Sequence, residues 1–201
     1  MDTSITFRIL FFILLGCMLA IRIYFNLKLR QSGGHILPGR QAIKNEGFGL
    51  FLIRFVLFFV LLAVLVLYAI NHPWMQALDF SLPTQLSWIG FIIGLLSLGL
   101  TFWVELELGR QFSPQLQLRQ EHQLITHGPY SRVRHPLYTA LNGFGLSLAL
   151  VSANWFFVGF FIVSMFGLYL RVPKEEHMLQ DEFGDRYREY MLRAGRFFPK
   201  L

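Results

Sequence analysis

Four hydrophobic blocks dominate this chain, and short polar segments carrying basic residues separate them. The blocks run from about Ile5 to Leu27, Leu50 to Ile70, Leu86 to about Leu106, and Leu137 to Leu170. A helix needs roughly 20 apolar residues to cross a hydrocarbon core. In lipid, helices and closed barrels are the spanning structures that satisfy their own backbone. Each of the first three blocks fits one crossing. The fourth is too long for one and slightly short for two, and it has a polar dent at Ser152-Ala153-Asn154. It reads as a tight hairpin of two short or partly embedded helices. The expected fold is all-α: a polytopic membrane protein with five transmembrane or membrane-embedded helices, the last two a hairpin, followed by a cytoplasmic C-terminal helix.

Composition agrees. The 201 residues are 54% hydrophobic and 15% charged, too few polar groups to cover a soluble domain of this size. The first block lacks a small-x-small cleavage site and leads directly into Lys28 and Arg30, so it reads as a retained helix and not a signal peptide. The single cysteine, Cys17, implies no disulfide framework. Gly90 and Gly94 place two small residues on one face of the third block, a spacing that permits close helix packing or is incidental.

Orientation follows from Lys and Arg. Segments one, three and the tail are basic, whereas Asn71 to Gln85 carries no Lys or Arg. The positive-inside rule then puts the N-terminus outside and the C-terminus in the cytoplasm, with a bacterial inner membrane as the expected location. The net charge of +6 is explained by topology and anionic lipid, and no nucleic-acid module is present. The partners expected are the bilayer and a lipophilic or membrane-partitioned small molecule.

Polar detail becomes dense after about Leu100. Residues 1–99 read as N-terminal membrane helices, and 100–201 as the catalytic region. In His127-Gly128-Pro129-Tyr130-Ser131-Arg132-Val133-Arg134-His135-Pro136-Leu137-Tyr138, Gly-Pro predicts a turn and Pro136 suits the first turn of a helix starting near His135. The N–H groups of that helix start would attract an anion. Tyr138 follows His135 by three residues, which puts both rings on one face. An interfacial anchor of Arg and Tyr is the plainer alternative.

The second cluster, Arg171-Val-Pro-Lys-Glu175-Glu176-His177, lies where the last block ends. Glu175 and Glu176 are expected to open an amphipathic helix with Leu179, Phe183, Tyr187 and Tyr190 as its stripe. Helix-dipole compensation explains the two Glu without function, and snorkelling explains Arg171. No metal site is indicated: His122 and His127 are five apart with no convincing cluster around them, and His35 and His72 fall on opposite expected sides.

Four segments together resemble the isoprenylcysteine carboxyl methyltransferase and phospholipid methyltransferase group of integral membrane methyltransferases. They are Leu108-Gly-Arg-Gln-Phe-Ser113, Leu124-Ile-Thr-His-Gly-Pro-Tyr130, Val133-Arg-His-Pro-Leu-Tyr138, and Glu175-Glu176-x-x-Leu179 with Phe183-Gly184-x-x-Tyr187-x-x-Tyr190 and Pro199. The group often has Gly two residues after the Tyr, where Ala140 stands here. The resemblance covers about Leu100 to Pro199. It implies S-adenosylmethionine-dependent methyl transfer to a lipophilic acceptor: a carboxylate, an amine or a thiol. It also implies a donor pocket formed by Leu124, His127, Gly128, Tyr130, Arg134, His135, Pro136, Tyr138, Glu175 and Glu176. Arg171, Glu175 and His135 are the candidate catalytic groups; Arg171 ends an apolar helix four residues before Glu175 and is expected to orient the acceptor. A nicotinamide-dependent membrane reductase and a non-enzymatic transporter are the competing readings.

Overall fold

The computed structural model describes residues 3–31, 48–108 and 124–200. Part of the Leu108–Ser113 motif, the Gly-rich segment around His35, and His122 lie outside them. The described residues form helices throughout: α1 (Thr3–Gln31), α2 (Phe48–Ala69), the short α3 (Pro73–Gln76), α4 (Thr84–Leu108), α5 (Pro136–Ser152), α6 (Trp155–Phe183) and α7 (Asp185–Arg193). Three of them, α1, α4 and α6, are long and apolar enough to cross a membrane. The protein is an all-α, polytopic integral membrane protein.

Lipid provides no hydrophobic drive between helices, so close packing and polar links must hold them. Small residues do this between α4 and α5. A Cβ on Gly90 would lie 2.6 Å from Leu150 Cβ, one on Gly143 would lie 2.5 Å from Ser97 Oγ, and one on Gly94 would strike Ser147. The Gly90–Gly94 face is therefore a contact surface on which α5 rests. On α1, Phe7, Phe11, Leu14 and Met18 recur at helical spacing and bury together with Tyr68, Leu98, Phe144 and Phe157. Phe11 meets the Tyr68 and Phe157 rings at 5.0 and 4.7 Å between centroids. This core draws from both halves of the chain.

The end of the bundle holding the α5–α6 turn is tied by one amide. Asn154 is fully buried; its Nδ2 donates to Met75 O (2.8 Å) and Asp79 Oδ1 (2.6 Å), and its Oδ1 caps α6 at Phe156 N (3.0 Å). Backbone bonds from Phe80 N to Ala153 O and from Trp155 N to Leu78 O close the same junction. The polar dent at 152–154 thus forms the turn between α5 and α6, with Ala153 in the left-handed region at φ 46°.

The other end departs from expectation. Glu175 and Glu176 do not open a new helix, because α6 runs unbroken through Pro173 to Phe183. Pro173 removes one i→i−4 donor. The turn beyond it is nevertheless held by ion pairs of Glu176, and the break falls at Gly184, whose φ of 55° suits glycine. At about 1.5 Å per residue, the 29 residues of α6 exceed a hydrocarbon core of about 30 Å. Its apolar part ends at Leu170, so Arg171 to Phe183 project beyond it.

Candidate functional site

The site is built where α5 begins. Gly128–Ser131 form a 3-10 turn, and Gly128 adopts φ 57°, which favours glycine. A Cβ there would also meet the Glu107 side chain at 2.7 Å. His135 then caps α5, and Pro136 takes its first position, where no N–H is needed. The expected attraction of an anion to this helix start needs correction at two donors. Arg134 N–H and His135 N–H are spent on Gly195 O (2.8 Å) and Arg196 O (3.0 Å), because the C-terminal tail runs parallel to Val133 and pairs with it.

Glu176 is the centre of a buried knot. It is 2% exposed, yet it accepts from Arg134 Nε (2.9 Å), from Arg196 Nη2 (2.5 Å) and Nε (3.3 Å), and contacts His135 Nε2 at 3.3 Å. Arg134 reaches on to the Ala194 and Met191 carbonyls. A carboxylate so surrounded is ionised, and its oxygens are satisfied by protein. Four segments meet on it: the α5 start, α6, the end of α7 and the tail.

Its neighbour Glu175 is less committed. Among the described residues it accepts one hydrogen bond, from Tyr138 Oη at 2.5 Å. The Tyr138 ring stacks on His135, with an angle of 4° between planes and 5.5 Å between centroids. His135 is thus fixed by Glu176 on its edge and Tyr138 on its face. Arg171 lies one helical turn before Glu175 on α6.

Tyr130 lies in the 128–131 turn. Burial pushes its hydroxyl well above the usual phenol range, and the charges of Glu175 and then Glu105 raise it further. Its carbonyl receives Tyr190 Oη at 2.6 Å. The Tyr190 hydroxyl is itself pushed up to about 12 by burial, partly offset by Arg134, so it stays protonated and donates. Burial raises Tyr187 as well; its ring is 1% exposed beside Tyr190 and Ala194, with Leu124 packed on this cluster. The expected stripe exists, split by Gly184 between two helices and spent on packing. His127 is exposed and paired with Glu107 at 3.0 Å.

An open cavity of about 510 Å³ lies beside this constellation, lined by Trp103, Gly128, Arg132, Pro136, Thr139 and Phe197 among others. Tyr138, Glu175 and Glu176 do not line it, so the chemistry, and not the volume, marks the site. Among the described residues no group of His, Cys, Asp and Glu is placed to hold a metal ion. Sequence reasoning singled out neither Arg196, one charge of the basic tail, nor Glu105, near the end of the third block. Neither sits in a local pattern that separates it from other charges.

Residues 88–181 match the isoprenylcysteine carboxyl methyltransferase (ICMT) family. Protein-S-isoprenylcysteine O-methyltransferase B of Arabidopsis thaliana is 32% identical over 94 residues, covering 45% of this chain and 48% of that protein. A probable protein-S-isoprenylcysteine O-methyltransferase of Oryza sativa subsp. indica is 27% identical over 116 residues, covering 56% and 61%. The chain therefore spans less than two thirds of the length of either relative. The solved structure of the eukaryotic intramembrane Ras methyltransferase ICMT aligns with a TM-score of 0.53 at 22% identity, over 82% of this chain and 54% of that one, which is a likeness of fold. The match to this family takes in a little under half of the chain.

Proposed function

We propose that this protein transfers a methyl group from S-adenosylmethionine to a lipophilic, membrane-partitioned acceptor at the cytoplasmic face of the membrane. The observation that carries this is the Tyr138–Glu175 pair: a carboxylate with one donor among the described residues, presented beside a fully engaged knot. When bound, S-adenosylmethionine supplies a methyl group already activated on a cationic sulfonium. The residues present fit a cation, since the Glu175 carboxylate lies on Tyr138, whose ring stacks on His135.

Glu175 and Tyr138 hold the donor's polar groups, with His135, Pro136, Gly128, Tyr130, His127 and Leu124 shaping the pocket. Arg134 and Glu176 are the frame that fixes His135 and the helix start, because their own bonds are already taken within the protein. This favours Glu175 over Glu176 as the donor's contact. The chain's work is alignment and exclusion of water, and neither needs an external metal. Arg171 orients the acceptor, which arrives laterally along the exposed apolar face of α6, where Phe166 and Tyr169 are 59% and 57% exposed.

The remaining parts of the reading are five membrane-embedded helices with α5 and α6 as the hairpin, an outside N-terminus, a bacterial inner membrane, and a functional division near residue 100. Reporter fusions within 71–85 and after Lys200 should report opposite compartments; one compartment for both sinks the topology. For the activity, S-adenosylhomocysteine should bind saturably to the purified protein while NADPH does not. The reverse result removes the methyltransferase reading.

A further inference from the structure

None of the groups given a chemical task in the proposed transfer, His135, Tyr138, Arg171 or Glu175, lines the cavity beside the α5 start. One wall of that cavity is the end of α4, from Leu100 and Trp103. The 128–133 segment, Pro136 and Thr139 of α5, and Phe197 of the tail form the rest. At about 510 Å³ it falls within the range of ligand pockets, roughly 300–1,000 Å³. Its walls are mostly apolar, and among the described residues Arg132 is the one charged side chain on them.

That arginine is available. It is exposed, and no described residue pairs with it. The other cations of this end are committed: Arg134 and Arg196 to Glu176, and Lys200 Nζ to the carbonyls of Met191 (2.7 Å) and Leu192 (3.1 Å). Glu107, at the end of α4, does not line the cavity. Trp103 Nε1 engages one of its oxygens at 3.1 Å and His127 the other at 3.0 Å. An anion in the cavity therefore meets a guanidinium with no carboxylate on the walls to compete for it.

An apolar path leads from the bilayer to this cation. Ile92, Leu96, Leu100 and Trp103 recur at spacings of four, four and three along α4, so they share one face. Ile92 is 55% exposed, Leu96 69% and Trp103 49%, which turns that face to lipid. It ends where the acidic residues Glu105 and Glu107 begin, at headgroup depth for an interfacial Trp. From Trp103 back to Ile92 the helix spans about 16 Å, close to one leaflet of a roughly 30 Å core. We infer that the cavity holds one anionic phospholipid of this leaflet, its phosphate on Arg132 and a chain down the Ile92–Trp103 face. The lipid is held there and not methylated, because the groups of the transfer site lie off the cavity. The acceptor's path along α6 is a different face of the protein.

Native mass spectrometry of the detergent-solubilised protein, titrated with phosphatidylglycerol or with phosphatidylcholine of the same chains, counts retained lipids. One phosphatidylglycerol should be retained about five-fold more tightly than phosphatidylcholine, as expected of one basic group acting on one net negative charge. Arg132→Gln should remove that margin. Leu100→Trp, which fills the cavity, should lower retention of both lipids. Arg193→Gln alters an exposed cation off the cavity and should change neither. Equal retention of the two lipids by the unaltered protein overturns the assignment, as does a loss in Arg193→Gln equal to that in Arg132→Gln. Displacement by 1-dodecanol, which has the tail without the charge, overturns it too, and a lipid-free dimer would give the α4 face to a second copy instead. S-adenosylhomocysteine should leave the lipid in place; displacement by it would assign the cavity to the methyl donor. Should Arg132→Gln fail to fold, the comparison of the two lipids together with Leu100→Trp decides. Failure to bind S-adenosylhomocysteine at all is a separate result and removes the methyltransferase reading alone.

Discussion

The two ends of the α5–α6 pair are built from different chemistry. The turn end is joined by a neutral amide, Asn154, whose donor and acceptor atoms are both used by protein. The opposite end is joined by charge: Glu176 against two arginines and a histidine, with Glu175 alongside, which among the described residues accepts from Tyr138 alone. A neutral, satisfied junction stabilises and does nothing more. A charged junction costs desolvation and repays it only with full pairing. Partial pairing is tolerated where a ligand completes it. Within the charged end the same contrast recurs between adjacent residues: Glu176 is used up, and Glu175 is not.

The strongest test of that contrast is Glu176→Ala. It leaves Arg134 and His135 without their buried partner and should cost about 3–5 kcal/mol in unfolding free energy, seen as a lower midpoint in thermal or denaturant melts. A melt unchanged by it would show that the knot is not holding the end together. Asn154→Ala removes a cap and two buried hydrogen bonds at the neutral end and should cost about 2–3 kcal/mol. Its folded fraction should turn over and bind S-adenosylhomocysteine normally. A loss of binding there would make the two ends less different than the geometry implies.

Glu175→Gln or Tyr138→Phe should do the converse. Melting should stay within about 0.5 kcal/mol, the range of changes that break no buried network. Affinity for S-adenosylhomocysteine should fall about ten-fold, or about 1.4 kcal/mol. If Glu175→Gln instead behaved like Glu176→Ala, the division between frame and contact would collapse. The smallest effect is expected from His127→Ala. Its pair with Glu107 is open to water, and exposed pairs contribute about 0.2–1 kcal/mol. Raising salt to 1 M should reduce even that difference.

Much of this was legible along the chain. Hydrophobic blocks located the membrane helices to within a few residues, except the far end of α6, because crossing lipid imposes a length and a composition. Pro136 after His135 foretold a helix start for a local reason, the missing N–H, and Gly90 with Gly94 marked a face that the fold uses for contact. The expected helix start at Glu175 did not form: α6 continues through Pro173, and the turn beyond it is held by ion pairs to residues far away in sequence. Arg196 carries no local signature, and its role exists because the tail returns to pair with Val133.

What the sequence determined by itself is therefore the membrane habit, the placement of helices, and the identity of the groups capable of chemistry, since these depend on residue type and short-range spacing. Which of those groups is already engaged was decided by tertiary structure alone. Glu175 and Glu176 are the same residue type one position apart. Successive residues on a helix point about 100° apart, so one carboxylate faces Arg134 and Arg196 while the other meets Tyr138.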